Sequence, residues 1–334
     1  IHYKIIDIIF TSHIKSFVLI QLKILILWLT SLIYALIVGD SYIAAWRWLV
    51  SIVASLLLAW YGLRKKSLDK SGAVAGVAVG FLLTISNMCF FASLMTFFLL
   101  ASKATKYRSS MKQKFEADFK EGGQRNWVQV ICNGGIASQF AMLYMLDNGV
   151  GEMPVDFSKQ YMSSYFSTAV LGALACCCGD TFASELGTVF RYNTEPRLIT
   201  TFRKVPKGTN GGISLVGTIF SLIGGLVVGM AYYVTLIFSL SDAYLQTCPP
   251  QWPIIILGAL SGFLGSGIDS YLGATLQYSG HNRLTNKIVE SPGKDVDDIC
   301  GWPLLDNHSV NLLSSLFCGL LTPKVAFYLW WLFV

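Results

Sequence analysis

Charged residues are scarce in this sequence, and their scarcity excludes an ordinary soluble protein. Only 13% of the 334 residues are Asp, Glu, Lys or Arg, whereas soluble domains carry about 25%. More than half of the chain, 54%, is hydrophobic. Because the apolar residues fall in runs long enough to cross a bilayer, the composition predicts an all-α, polytopic membrane helical bundle.

Several chemical patterns are also missing. The eight cysteines match no zinc or disulfide spacing, so we interpret them as small apolar packing residues. None of the four histidines has a partner at metal-binding spacing. The Walker loop, G-x-x-x-x-G-K-(S/T), does not occur. These absences exclude zinc-finger, disulfide-scaffold and P-loop proteins, and nothing in the sequence indicates a nucleic-acid partner or an oligomeric state.

Hydropathy divides the chain into about nine transmembrane helices. Residues 1–43 are expected to form a poorly defined N-terminal region with the first helix, and residues 44–334 a single integral membrane domain. The short runs at 72–86 and 88–102 are expected to form either a tight helical hairpin or a re-entrant pair. The predicted spans are 17–38, 44–62, 72–86, 88–102, 127–147, 165–189, 211–239, 253–277 and 308–331.

The positive charge is concentrated in one set of loops. Most of the 25 Lys and Arg residues fall in 63–71, 103–126, 190–210 and 278–307. Because cytoplasmic loops are rich in Lys and Arg, these loops and the N-terminus are expected in the cytosol, with the endoplasmic reticulum as the default membrane. Many of these residues need only set the topology and contact anionic lipid.

Acidic residues inside apolar runs are the most informative feature that the sequence does contain. Asp180 and Glu185 lie in the stretch Gly179–Gly187, and Asp269 lies in Gly262–Gln277. An ionised side chain near the bilayer centre costs at least roughly 2.5 kcal/mol, so such residues mark candidate functional sites. A rise of about 1.5 Å per residue places Asp180 roughly 15 Å and Asp269 about 12 Å below the cytosolic face. Both therefore suit one Mg²⁺ ion, which takes one or two carboxylates plus phosphate oxygens.

A basic, glycine-rich loop follows the first acidic span. Gly-rich backbone with Lys and Thr before a helix is typical of phosphate binding, although an ordinary Gly/Asn turn that caps a helix explains the pattern as well. The candidate residues are Lys204, Lys207, Gly208, Thr209, Asn210, Gly211 and Gly212.

Three further polar stretches flank predicted helices. Lys66 precedes a second helix start, where Asp69 or Ser71 is expected to serve as the cap. Asn133 is expected to form an interhelical hydrogen bond. Asp306, Asn307 and Asn311, at the start of the last span, are expected to complete the polar site.

From about Arg47 to Leu321 the sequence resembles the transmembrane protein 19 family. That family is similar to the plant phytyl-phosphate kinase of vitamin E synthesis, which is thought to convert an isoprenyl monophosphate to the diphosphate with a nucleoside triphosphate. The stretches that carry the resemblance are Lys65–Gly72, Gly122–Asn133, Val155–Tyr161, Gly179–Gly187, Arg197–Gly212, Gly262–Gln277 and Leu305–Asn311.

A wider similarity links the acidic span to dolichol kinase, phytol kinase and CDP-diacylglycerol synthase, which use CTP on a lipid acceptor. They share (G/N)-D-x-x-A-x-x-(F/G)-G and a later Lys-containing G-(S/T) loop, and Asp269 and Asp306 are similar in position to later acidic residues of the synthases. Glu185 and the Gly-Thr-Asn-Gly-Gly sequence depart from the pattern, which leaves the donor and the acceptor open. The matching residues are Gly179, Asp180, Ala183, Gly187, Lys204, Lys207, Gly208 and Thr209.

Together these features predict a membrane-embedded phosphotransferase that uses CTP or ATP to phosphorylate an isoprenyl or other lipid phosphate. Asp180, Glu185 and Lys207 are the expected catalytic residues, and Lys66 and the loop 204–212 are expected to bind phosphates. Asp180, Asp269 and Asp306 are the expected Mg²⁺ ligands. The alternative is an ion- or proton-coupled transporter that uses the same intramembrane acids.

Overall fold

Polar side chains at the ends of apolar runs determine where the helices begin. The computed structural model describes residues 43–107, 123–189 and 195–333, and residues 46–333 belong to one compact unit. The helices are α1 (Ala45–Arg64), α2 (Lys70–Ser86), α3 (Met88–Lys106), α4 (Trp127–Asn148), α5 (Tyr161–Val189), α6 (Leu215–Ser239), α7 (Asp242–Thr247), α8 (Pro253–Leu276) and α9 (Asn307–Trp331).

Short polar side chains cap most of these helices, each accepting a hydrogen bond from a backbone amide of the first turn that lacks an intrahelical partner. Asp69 caps α2 through Gly72 N at 2.7 Å. Asn87 ends α2 and caps α3 through Cys89 N at 2.8 Å. The remaining side-chain caps are Asn126 of α4, Ser214 of α6 and Asp306 of α9.

The helices confirm the predicted polytopic all-α membrane fold. Six of those in the described ranges are long and apolar enough to cross a bilayer, and Lys70–Ser86 is apolar but shorter. Every predicted span from 44–62 onward coincides with a helix, whereas the predicted span 17–38 lies outside the described residues. Helices α2 and α3, which cover 72–86 and 88–102, meet at Asn87 and form a hairpin, a geometry that both alternatives for this segment share. Lys106 Nζ, at the end of α3, donates to Ser67 Oγ, just before α2, at 3.0 Å.

Helix α5, which carries the first acidic motif, is the central helix of the bundle. It packs against α3, α4, α6, α8 and α9. Its apolar stretch is 78% buried, compared with 44% or less in the other five long apolar helices. The middle of α5 is therefore enclosed by the surrounding helices, whereas its acidic end, from Asp180 to Leu186, is mostly half-buried.

Glycines bring the backbones of α5, α6 and α8 into direct contact. A Cβ atom added to Gly179 would lie 2.6 Å from the carbonyl oxygen of Gly262, and one added to Gly225 would lie 2.1 Å from that of Gly258. Small residues allow membrane helices to approach this closely. The contact fixes α5 against α8 next to Asp180.

Gly262→Ala is expected to destabilise the bundle, because its new methyl group would lie 2.5 Å from Ser221 O and 2.8 Å from Gly225 Cα. Overpacking of this kind costs about 1–3 kcal/mol. The expected result is a lower midpoint of thermal unfolding in detergent. Gly267→Ala is the matched control on the same helix, because a Cβ there meets nothing within 4 Å. Equal midpoints for the two variants would contradict the packing argument.

Two small sheets, which the helical prediction did not include, lie at the loop ends of α5 and α8. Strands β1 (Arg197–Leu198) and β2 (Gly212–Ile213) pair antiparallel around the basic loop. Strands β3 (Ser279–Asn282), β4 (Lys287–Val289) and β5 (Val296–Cys300) form an antiparallel sheet in the order β4-β3-β5. Leu198, Val205 and Ala274 form a shared apolar cluster with residues of β5, so both sheets rest on the end of α8.

Candidate functional site

The structure brings the two intramembrane aspartates together. Asp180 on α5 and Asp269 on α8 are close enough to interact electrostatically. Each also has a serine hydroxyl nearby. Ser266 Oγ donates to Asp180 Oδ1 at 3.4 Å, and Ser314 Oγ, on α9, donates to Asp269 Oδ2 at 3.1 Å. Two half-buried carboxylates and two buried hydroxyls from three helices therefore share one site.

A chain of polar contacts connects this pair to α4. Asn311 Nδ2 donates to Asn133 Oδ1 at 3.3 Å, which confirms the interhelical role predicted for Asn133. Ser314 lies within 3.1 Å of the Asn311 carbonyl as well as of Asp269. Cys177 Sγ, one turn before Asp180, donates to the Asn133 carbonyl at 3.3 Å. The acidic pair thus belongs to a polar cluster that spans α4, α5, α8 and α9.

Glu185 has a different electrostatic environment from that of Asp180. It lies about 7.5 Å further along the axis of α5 and interacts with the guanidinium of Arg125, which precedes α4. The two acidic residues of this motif therefore interact with different partners: Asp180 with the carboxylate of Asp269, and Glu185 with a basic residue.

Asp306 serves as the N-cap of α9. Its Oδ1 accepts from Ser309 N at 2.9 Å and also from Ser309 Oγ. Within the described ranges, no group of three His, Cys, Asp or Glu side chains is placed to hold a metal ion. The expected metal ligands therefore do not form one three-carboxylate cluster, and only Asp180 and Asp269 are brought together.

The basic glycine-rich loop lies directly against the acidic helix α8. A Cβ on Gly211 would lie 2.6 Å from the carbonyl of Ser270, the residue after Asp269, and 2.4 Å from Ala274 Cβ. Asn210 N donates to Ser279 Oγ at 3.0 Å, and Asn210 Nδ2 donates to Tyr278 O at 3.3 Å. The loop that carries Lys204 and Lys207 is thus held at the same end of the bundle as Asp269.

Three backbone amides of the loop are already engaged in hydrogen bonds, two within the loop and one to β3. The amides of Thr209, Asn210 and Gly212 donate to Pro206 O, Ser279 Oγ and Thr209 O, and Gly208 and Gly211 adopt positive φ angles of 89° and 75°. A phosphate bound by this loop would therefore have to contact its lysine side chains or the amides of Lys207, Gly208 and Gly211 rather than these three amides. Lys207 is half-buried, and the exposed Lys204 lies 3.1 Å from Glu195.

Lys66 occupies an exposed turn after α1, with a φ of 52°. Its amide donates to Leu63 O at 3.0 Å. Of the two caps expected nearby, Asp69 is the one observed, and Ser71 Oγ donates to its Oδ1 at 2.7 Å. Lys66 belongs to the turn before α2, and the residues that follow it contact Arg125, since Arg125 N donates to Ser67 O and Asp69 N donates to Arg125 O, each at 3.0 Å.

Sequence reasoning missed three residues of this site. Ser266 and Ser314 contact the two carboxylates, and Arg125 lies beside Glu185. Ser266 lies one turn before Asp269, and Ser314 lies three residues after Asn311, so helical spacing from residues already identified was an available signal. Arg125 lies in the stretch Gly122–Asn133 that carries the family resemblance, but nothing in that pattern pairs it with Glu185.

Comparisons with known proteins place the chain in a family. A family model described as "Integral membrane protein DUF92" matches residues 53–319. Protein PGR of Arabidopsis thaliana is 40% identical over 283 residues, covering 85% of this chain and 97% of that protein. No solved structure gives a significant match.

More distant relatives show the same family relationship. The uncharacterized membrane protein MJ0933 of Methanocaldococcus jannaschii is 26% identical over 279 residues, which cover 82% of this chain and 92% of that protein. Protein VTE6, chloroplastic, of Arabidopsis thaliana is 27% identical over 223 residues, which cover 65% of this chain and 60% of that protein. The family relationship expected from the motifs is confirmed. This multi-pass membrane protein belongs to the DUF92 family of integral membrane proteins.

Proposed function

We propose that this protein is a lipid-phosphate kinase that transfers the γ-phosphoryl group of CTP or ATP to an isoprenyl or other lipid monophosphate. The observation that carries the proposal is the contact of the basic loop with α8 at Ser270, directly after Asp269. That contact holds the loop bearing Lys204 and Lys207 at the end of the helix that bears the acidic pair. The similarity of the motifs to those of the plant phytyl-phosphate kinase supports the acceptor class.

Asp180 and Asp269 are better suited to holding Mg²⁺ than to being ionised side by side without a cation. Two ionised groups that interact in a partly desolvated site repel each other, and a divalent cation between Asp180 and Asp269 removes that repulsion. Mg²⁺ needs only one or two carboxylates when phosphate oxygens and water complete its coordination. Bound there, the ion would offset the negative charge of the phosphates during phosphoryl transfer.

The reaction depends more on positioning the acceptor oxygen against the γ-phosphorus than on removing a proton from the acceptor. A phosphate monoester has its second pKa near 6, so its oxygen is already anionic at neutral pH. An acceptor oxygen forms a bond to the γ-phosphorus while the bond to the bridging β–γ oxygen breaks. The products are a lipid diphosphate and a nucleoside diphosphate. The lysines of the loop would orient the donor phosphates and offset their charge, which is the main contribution of proteins to phosphoryl transfer.

The direct test uses purified protein in lipid nanodiscs with Mg²⁺, γ-labelled CTP or ATP, and a panel of isoprenyl monophosphates. Labelled isoprenyl diphosphate would support the kinase. Absence of both turnover and nucleotide binding, in protein shown to be folded, would overturn it. Ion flux in the same protein would then favour the transporter, which also explains two interacting intramembrane acids.

Lys207→Ala is expected to raise the KM for the nucleotide about 10- to 100-fold, since a hydrogen bond to a charged group contributes roughly 1.5–3 kcal/mol. The measurement is the dependence of turnover on nucleotide concentration, at saturating lipid. Lys294→Ala, which removes an exposed lysine between β4 and β5, is the control and is expected to leave KM unchanged. An unchanged KM in Lys207→Ala would remove this residue from the nucleotide site.

A further inference from the structure

Ser314, on α9, is a buried serine whose hydroxyl contacts one of the two intramembrane aspartates. The residue is 1% exposed, and its Oγ donates to Oδ2 of Asp269, on α8, at 3.1 Å. The next residue, Ser315, is buried just as deeply, but its Oγ donates to the Leu312 carbonyl of its own helix at 2.9 Å. Of these two neighbouring serines, Ser314 is therefore the one that contacts a proposed metal ligand.

The Ser314 hydroxyl has two acceptors within reach. The carbonyl oxygen of Asn311, three residues earlier on the same helix, also lies 3.1 Å from its Oγ. A serine hydroxyl has only one hydrogen to donate. Hydrogen bonds to an ionised acceptor are roughly twice as strong as neutral ones. We therefore expect the hydrogen to point to Asp269 for as long as that carboxylate is ionised.

Contacts on both sides of Ser314 hold its part of α9 in place. One turn before it, Asn311 Nδ2 donates to Asn133 Oδ1 of α4 at 3.3 Å. One turn after it, Cys318 Sγ donates to the Ser261 carbonyl of α8 at 3.3 Å. Because α9 is tied to α4 and to α8 at these two points, the position of the Ser314 hydroxyl relative to α8 is fixed by the packing of the bundle.

The hydrogen bond makes the two oxygens of Asp269 unequal. Oδ2 accepts from Ser314, whereas Oδ1 accepts no hydrogen bond from the part of the chain that the structure describes. The carboxylate is half-buried and interacts electrostatically with Asp180. A cation bound by both aspartates is therefore expected to contact Asp269 through Oδ1 alone.

Contact through one oxygen suits some divalent ions better than others. Ca²⁺ takes about six to eight oxygen ligands and often uses both oxygens of a carboxylate, whereas Mg²⁺ needs a compact octahedron built from one or two carboxylates, phosphates and water. Two-oxygen coordination by Asp269 would break the hydrogen bond at Oδ2 and leave the Ser314 hydrogen to the weaker Asn311 acceptor. The arrangement therefore disfavours the larger ion.

We propose that Ser314 is a positioning residue that makes Asp269 a one-oxygen metal ligand and thereby favours Mg²⁺ over Ca²⁺. The inference rests on the proposed function, because it concerns the divalent ion bound there by Asp180 and Asp269. It goes further in naming a residue that selects the ion. Hydrogen-bond partners of metal-ligating side chains typically contribute about 10- to 100-fold to metal affinity, so the effect is large enough to measure.

The test measures metal binding directly, without nucleotide or lipid phosphate. Mn²⁺ is titrated into the purified protein in phosphatidylcholine nanodiscs, free Mn²⁺ is read by electron paramagnetic resonance, and displacement by Mg²⁺ and by Ca²⁺ gives a Kd for each ion. Binding that Asp269→Asn removes is assigned to the site. Ser314→Ala is expected to raise the Mg²⁺ Kd about 10- to 100-fold and the Ca²⁺ Kd by less, so that the ratio of the Ca²⁺ Kd to the Mg²⁺ Kd falls.

Two further variants separate ion selection from packing. Ser315→Ala makes the same chemical change at the adjacent, equally buried position, and it is the matched control with unchanged Kd values for both ions. Ser314→Thr keeps the hydroxyl and is expected to keep the wild-type ratio. Similar midpoints of thermal unfolding for Ser314→Ala and Ser315→Ala would show that the change in metal affinity does not come from a looser bundle.

The outcomes separate this inference from the proposed function. Metal binding that depends on Asp269 and shows the expected fall in ratio, in protein that transfers no phosphoryl group, would support the inference and overturn the kinase. Phosphoryl transfer in which Ser314→Ala keeps the wild-type dependence of turnover on Mg²⁺ would support the kinase and overturn the inference. Equal weakening of both ions, or no Mn²⁺ binding that depends on Asp269, would also overturn it.

Discussion

Asp180→Asn is expected to lower the rate of lipid-phosphate phosphorylation about 100- to 1,000-fold, the loss typical of removing one group that stabilises charge in a transition state. The amide keeps the shape of the carboxylate and can still accept a hydrogen bond from Ser266. It removes the negative charge that, with Asp269, would hold Mg²⁺. The measurement is the initial rate of lipid diphosphate formation in nanodiscs at saturating nucleotide and lipid. Asp242→Asn, on the exposed helix α7, is the control and is expected to keep the wild-type rate.

The proximity of Asp180 to Asp269 leads to a further prediction, for Asp269→Asn and for the double variant. If both carboxylates hold one ion, Asp269→Asn is expected to lower the rate about as much as Asp180→Asn. The rate of the double variant should be only slightly lower than that of the slower single variant, because the effects of groups that act as a unit are strongly non-additive. Raising the Mg²⁺ concentration is expected to restore part of the rate in each single variant but not in the double one. Independent, multiplicative losses would contradict a shared ion and would assign separate roles to the two aspartates.

The helices were predictable because local chemistry specifies their ends. Asp69, Asn87 and Asn126 each stand directly before an apolar run, where a side-chain oxygen is needed to accept from a free amide, and each is a cap in the structure. The proximity of Asp180 and Asp269 followed from equal depth on two spans that run in the same direction. Both inferences need only the helical rise and the hydropathy of the chain.

The remaining features depend on contacts between distant segments, which a single sequence does not encode locally. The sheet at 279–300 contains polar and charged residues with no apolar alternation, and it forms where it can pack against Asn210 and the end of α8. The hydrogen bonds inside the basic loop likewise come from its tertiary setting. The separation of Glu185 from the acidic pair depends on Arg125, which lies 60 positions earlier in the chain.

A buried ion pair on another part of the bundle was also not predicted. Arg47, in the first turn of α1, is 6% exposed, and its Nη2 lies 2.8 Å from Oε2 and 3.0 Å from Oε1 of Glu152. Glu152 also accepts from Met88 N, at the start of α3, at 2.7 Å. The pair thus connects α1 to the α2–α3 turn and to the segment after α4. The neighbouring Gly151 carbonyl accepts from Asn87 and from Tyr144.

Arg47→Ala is expected to be the most destabilising of the variants considered, with a loss of about 3–5 kcal/mol in the free energy of unfolding, because it leaves the Glu152 carboxylate buried without its cation. The measurement is the unfolding transition in detergent, followed by tryptophan fluorescence. Arg283→Ala breaks a similar two-contact pair with Asp297 that is exposed to solvent, and it is the control with little expected change. Adding Glu152→Gln to Arg47→Ala should recover part of the loss, since no unpaired charge then remains buried. A loss of unfolding free energy in Arg47→Ala no larger than that in Arg283→Ala would contradict a buried pair. If the double variant were no more stable than Arg47→Ala, the loss would come from missing packing rather than from the unpaired buried charge.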